Sequence, residues 1–268
     1  MLEVTSGDGT MIAYEKAGEG PALVIVDGAL TTRSSGSKAE LVRLLAPHLT
    51  VYTYDRRGRG DSSDTSPYAV EREIEDIAAV IEEAGGTASA YGHSSGACLA
   101  LEASVKLGHK VNKLALYEAP YNDDPAARQA FARYLAELSE ALSEGRRGDA
   151  VALFMSYVGI SRQQIEGMRN APFWAGLEAL APTLAYDHAG IMGPDGSIPR
   201  RRVGEVNVPT LVMYGKVGLP FMAVTARQLE ELIPGSELAG FDGQAHDVSP
   251  AVLGPALVEF MTAPTPAQ

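Results

Sequence analysis

Two hydrophobic periods alternate along the first third of the chain. Leu2 to Ser6 and Met11 to Lys16 alternate apolar and polar residues around Gly7-Asp8-Gly9, the pattern of a β-hairpin. Ala22 to Val26 is continuously apolar, as expected of a strand buried on both faces. Lys38 to Leu45 has helical spacing, and Val51 to Tyr54 reads as a strand ending in Asp55. Val70 to Ala84 puts Ile74, Ile77, Ala78 and Ile81 on one face of an amphipathic helix. A strand over Thr87 to Tyr91, a helix over Ala97 to Leu107 and a strand over Lys113 to Tyr117 follow.

The alternation then stops. Tyr121 to Glu205 is helical in pattern, with Asp124 and Pro125 as N-cap and first helical position. Helices are expected over Ala126 to Leu142, Ala150 to Val158, Gln163 to Asn170 and Trp174 to Leu180, with a turn at Gly193-Pro194-Asp195-Gly196. From Pro209 the α/β alternation resumes: strand Thr210 to Tyr214, helix Val224 to Leu232, strand Glu237 to Ala239, helix Ala251 to Met261. The pattern predicts an α/β fold with a mostly parallel central sheet and one helical insertion. The expected division is a core of residues 1–120 and 206–262, a helical cap of residues 121–205, and a frayed Pro/Ala-rich tail of residues 263–268.

Composition narrows the function. A hydrophobic fraction of 46% and a charged fraction of 21% supply an ordinary core. A net charge of −12 argues against a nucleic-acid partner, because phosphates need a basic face; Arg56-Arg57 and Arg200-Arg201-Arg202 are short loop groups. No apolar run reaches the roughly 18 residues of a membrane span, and Met1-Leu2-Glu3-Val4 does not begin a secretory signal. The lone Cys98, one turn after Ser94, reads as packing and allows no internal disulfide. These features point to the cytoplasm. No H-E-x-x-H, cysteine pair or His/Asp cluster suggests a metal, and Gly58-Arg59-Gly60 lacks the third glycine of a dinucleotide loop, so no cofactor is expected. The expected partner is a small-molecule substrate, with neither nucleic acid nor membrane; homo-oligomerisation is left open.

The candidate chemistry centres on Gly92-His93-Ser94-Ser95-Gly96. A strand, then G-x-S-x-G, then a helix is the context of a nucleophile elbow, in which a turn too tight for flanking side chains lifts Ser94 clear of the sheet. The N–H of Ser95, at the helix N-terminus, is then placed to stabilise an oxyanion.

Four segments in order resemble the α/β-hydrolase superfamily over almost the whole length: Val26-Asp27-Gly28-Ala29, Asp55-Arg56-Arg57-Gly58-Arg59-Gly60-Asp61-Ser62, the elbow, and Gly243-Gln244-Ala245-His246. Leu116-Tyr117-Glu118-Ala119-Pro120 also resembles a segment in a group of small bacterial members. The resemblance implies Ser94 as nucleophile, His246 as its base and the N–H of Ala29 as second oxyanion donor. The usual aspartate after the seventh strand is missing from Gly215-Lys216-Val217-Gly218-Leu219-Pro220-Phe221. Glu118, directly after the sixth strand, is the expected substitute; capping the first insertion helix is its competing role. Asp187 and Asp195 are outsiders for the acid, and His93 reads as packing. Asp27 is expected to accept from backbone N–H groups of the Gly28 to Ser37 loop. Phe173 and Trp174 are expected to line the cleft under the cap, with Tyr121 and Leu219 or Phe221 near its rim.

The expected activity is cofactor-free hydrolysis of a carboxylic ester or lactone of a small apolar substrate through an acyl-enzyme on Ser94. C–C hydrolysis, acyl transfer, perhydrolysis or lyase chemistry on the same scaffold is the alternative, and a non-catalytic binding relative the second. An aspartate nucleophile is disfavoured, because Ser94 holds that position.

Overall fold

The computed structural model describes residues 1–264, so residues 265–268 of the expected tail lie outside the described residues. Its strands are β1 (Leu2–Thr5), β2 (Met11–Ala17), β3 (Ala22–Val26), β4 (Thr50–Tyr54), β5 (Ala88–His93), β6 (Val111–Tyr117), β7 (Thr210–Gly215) and β8 (Glu237–Phe241). They form one sheet in the order β1-β2-β4-β3-β5-β6-β7-β8. β2 pairs antiparallel with β1 and β4; the other neighbours are parallel. The chain leaves β3 toward β4 on one side and returns to β5 on the other. That reversal opens a crevice at the carboxyl ends of β3 and β5, where α/β sheets place their sites.

The core helices are α1 (Lys38–Leu45), α2 (Val70–Glu83) and α3 (Ser95–Leu107), joined later by α9 (Pro220–Leu232) and α10 (Pro250–Thr262). α3 is buried along its first ten residues, Ser95 to Ser104, because its small side chains let it lie close on the sheet. Between β6 and β7 come α4 (Pro125–Ser143), α5 (Arg147–Tyr157), α6 (Arg162–Met168), α7 (Trp174–Leu180) and α8 (Arg200–Val203). Asp124 caps α4, accepting from the N–H of Ala127 at 2.9 Å. Neither α8 nor the π-helical turn at Tyr186–Ile191 is expected from the hydrophobic period. Among the described residues no helix is long and apolar enough to cross a membrane.

α2 departs from a simple amphipathic helix. Ile74, Ile77, Val80 and Ile81 face the core, but so do Glu73 and Asp76. The reason lies in the loop after β4, whose Arg56, Arg57 and Arg59 are all buried. Arg56 grips Glu73 through two 2.7 Å bonds, and Arg57 grips Asp76 at 2.8 and 2.7 Å. What reads in sequence as a short loop pair of arginines is thus part of an internal ion-pair network. Removing one partner of such a pair costs about 3–5 kcal/mol, because a buried charge is left alone.

Candidate active site

Ser94 lies between β5 and α3 with φ 57° and ψ −130°, a backbone strain that persists only where the surroundings enforce it. Close approach dictates the neighbouring glycines. A Cβ on Gly92 would come within 2.5 Å of Ala97 Cα and the Gly96 carbonyl, and one on Gly96 would overlap the Val26 carbonyl. One on Gly28 would come within 2.9 Å of Ser94 Cβ. The register Val26↔Gly92 sets the Asp27 to Ala29 loop beside the elbow. The N–H groups of Ala29 and Ser95 donate no hydrogen bond among the described residues.

His246 is carried by the loop after β8, and three successive carbonyls of that loop are held. Val217 N–H donates to Gln244 at 3.0 Å, Tyr117 Oη to Ala245 at 2.5 Å and His93 Nε2 to His246 at 3.0 Å. His93 therefore does more than pack: it bonds the backbone of His246 and lies against its ring at a 34° tilt, with centroids 4.7 Å apart. Because a carbonyl only accepts, His93 carries its proton on Nε2.

Glu118, 3% exposed, follows β6 with φ 47°. Its Oε2 lies 2.7 Å from His246 Nδ1, and its Oε1 accepts from Gly215 N–H at 2.9 Å. The α4 N-cap is Asp124, not Glu118. With Nδ1–H given to Glu118, Nε2 of His246 is left as the acceptor. Among the described residues no hydrogen bond joins that ring to Ser94 Oγ; such contacts often tighten only with substrate present.

Several expected positions are corrected. Trp174 is buried, its Nε1 donating to Glu178 at 3.0 Å and Arg169 lying over its ring. Phe173 is 55% exposed rather than enclosed in a cleft. Tyr121 is not at a rim: it is fully buried, its carbonyl accepting from Thr225 Oγ1 at 2.6 Å. The chain beyond β6 runs against α9 before α4 begins. Leu219 is 49% exposed and Phe221 half-buried, just past Gly218, where a Cβ would stand 3.3 Å from Glu118 Oε1. Asp27 pairs with Lys38 Nζ rather than with loop N–H groups. Burial raises its pKa, and the ammonium offsets this only in part.

Asp187 is the residue that sequence reasoning missed. It is fully buried and accepts from Arg56 Nη1 at 2.6 Å, Arg59 Nη2 at 2.7 Å and Ser95 Oγ at 2.8 Å. Burial alone would raise its pKa, but the charges of Arg56 and Arg59 prevail and hold it well below the usual carboxylate range. The three arginines of one loop were the available signal, since buried guanidiniums demand carboxylates.

Burial lowers His93 and His188 from 6.5 to about 4, the nearby His246 adding to the shift at His93. Both are thus neutral in the folded protein at pH 7. Below pH 6.5 the unfolded chain binds their protons first, so stability falls from there toward pH 4 by about 1.4 kcal/mol per pH unit per histidine. Urea midpoints across that range should decline steeply, and His188→Asn should remove roughly half of the slope. A flat wild-type curve would contradict the buried neutral state.

A sequence model described as the alpha/beta hydrolase family matches residues 29–252. An α/β hydrolase from Sphaerobacter thermophilus is 47% identical, with 97% of this chain and 100% of that one covered and a TM-score of 0.85. An esterase from Exiguobacterium antarcticum superposes with a TM-score of 0.75 at 19% identity, covering 98% of this chain and 99% of that one. The enol-lactonase from Burkholderia xenovorans gives 0.63 at 20%, covering 98% and 100%. At these lower identities the likeness is one of fold.

Proposed function

The chain belongs to the α/β-hydrolase family, and we propose that it is a serine hydrolase cleaving a carboxylic ester or lactone of a small apolar substrate without a cofactor. The observation that carries this reading is the 2.7 Å bond from buried Glu118 to His246 Nδ1, at the same sheet edge as the strained Ser94. Exposed apolar Val217 and Leu219, in the loop packed against Glu118, favour an apolar substrate. An esterase and an enol-lactonase among the structural neighbours accord with it. The cap, residues 121–205, is proposed to cover the site.

In the proposed cycle His246 Nε2 takes the proton of Ser94 Oγ as the oxygen attacks the ester carbonyl. The N–H groups of Ala29 and Ser95 stabilise the resulting oxyanion, a contribution of about 3–4 kcal/mol per donor in such sites. Glu118 holds the Nδ1–H tautomer and stabilises the imidazolium. The imidazolium returns its proton to the leaving alkoxide, and water attacks the acyl-Ser94 ester by the same route. For a lactone the leaving alkoxide stays tethered to the acyl group.

A fluorophosphonate probe read by intact mass tests the reading. One adduct per chain is expected, located on Ser94 by peptide mapping. Folded protein that takes no adduct, or takes it elsewhere, would remove Ser94 as nucleophile.

A further inference from the structure

We propose that Asp187 is a positioning residue that fixes both arms of the oxyanion pocket from the cap; this rests on the serine-hydrolase reading of Ser94. The two arms are far apart in sequence. One is Ser95, the first residue of α3; the other is the loop at Asp27 to Ala29 after β3. Each is a backbone donor, so its direction depends on whatever pins the surrounding backbone.

Asp187 reaches both. On the first arm, its Oδ1 accepts from Ser95 Oγ at 2.8 Å. On the second arm it works through two guanidiniums. Arg56 Nη1, 2.6 Å from Asp187 Oδ1, also donates to the Asp27 carbonyl at 3.1 Å. Arg59, bound at 2.7 Å through Nη2 to Asp187 Oδ2, donates through Nη1 to the Gly28 carbonyl at 2.6 Å. The Gly28 carbonyl belongs to the peptide whose N–H is that of Ala29. Fixing that oxygen therefore fixes the direction of the proposed second donor.

The delivering element is built for this. Asp187 sits on the π-helical turn Tyr186–Ile191, a wider turn of the kind that recurs at functional sites. Tyr68 locks the turn from below: its ring stacks on Tyr186 at 4.0 Å, and its hydroxyl donates to Glu73 Oε1 at 3.0 Å. Gly190 admits that ring, since a Cβ there would overlap Tyr68 Cε1. Two guanidiniums and the two carboxylates Glu73 and Asp187 balance in charge, so the lock is electrostatically closed. A misaligned oxyanion donor costs transition-state stabilisation and leaves ground-state binding largely intact.

The test compares Asp187→Asn and Ser95→Ala with wild type on p-nitrophenyl acetate, with active sites counted by fluorophosphonate labelling. Asp187→Asn should lower kcat per labelled site by about 10²-fold, the scale of a roughly 1 Å misplacement. Ser95→Ala, which removes one hydrogen bond and leaves every charge paired, should lower it by about tenfold. KM should stay within about threefold in both, as expected for interactions made chiefly in the transition state. A purely structural role would lower Tm or the labelled fraction and leave kcat per labelled site unchanged. If Asp187→Asn does not fold, Ser95→Ala alone decides. Loss of kcat with KM held, in either variant that folds, supports the proposal; wild-type kcat in every variant that folds overturns it. Wild type that fails to label defeats the reading of Ser94 instead, so the two failures are distinguishable.

Discussion

Ser94→Ala should lower kcat toward a reactive ester by about 10⁶-fold, the scale set by removing a serine nucleophile from a working triad. The structure predicts a nearly pure chemical effect. Ser94 Oγ makes no hydrogen bond among the described residues, whereas its backbone donates to the Tyr117 carbonyl at 2.9 Å and accepts from Ala97 N–H at 2.8 Å. Alanine keeps both backbone bonds and the same Cβ beside Gly28. Tm should therefore move by no more than about 2 °C. Steady-state kinetics, circular dichroism melting and loss of the fluorophosphonate adduct check the three parts together. Retention of even a hundredth of the wild-type kcat would mean that another group, or water alone, attacks the ester.

Glu118→Gln should have the next largest effect, a loss of about 10⁴-fold in kcat. The argument runs through the tautomer. The side-chain oxygen of glutamine keeps the bond from Gly215 N–H, now 2.9 Å from Oε1. Its amide NH₂ then faces His246 Nδ1 in place of the carboxylate oxygen that lies there at 2.7 Å. An NH₂ donates, so Nδ1 must become the acceptor and the ring proton moves to Nε2. In that tautomer His246 has no lone pair to take the serine proton. The imidazolium also loses the adjacent negative charge that stabilises it. The variant should fold, bind substrate with a similar KM and label with fluorophosphonate in proportion to its reduced kcat. Activity within tenfold of wild type would show that His246 is oriented by some other group.

Both predictions concern residues that the sequence singles out. The elbow was legible because its requirements are local: Gly92 and Gly96 are dictated by atoms of the turn itself and of the adjoining strand end. The strand pattern was legible because burial on both faces writes continuous apolar runs at β3 and β7. Glu118 was singled out by the family resemblance, which implies an acid at this sheet edge that the loop after β7 does not carry.

Other features were not legible, for a shared physical reason. Asp187 meets Arg56 across 131 positions of sequence, and neither hydropathy nor turn chemistry carries information over that separation. The same holds for Glu73 and Asp76, which a helical period assigns to solvent until the buried arginines are placed. Trp174 and Tyr121 show the converse: the sequence says that an aromatic ring will be buried, but not which of two apolar surfaces will take it. Periodicity and turn geometry thus determined the elements, their order and the tight turn that carries Ser94. Which charges are paired inside, and which side chains meet at the elbow, only the tertiary structure decided, because those energies exist only once distant segments share a low-dielectric interior.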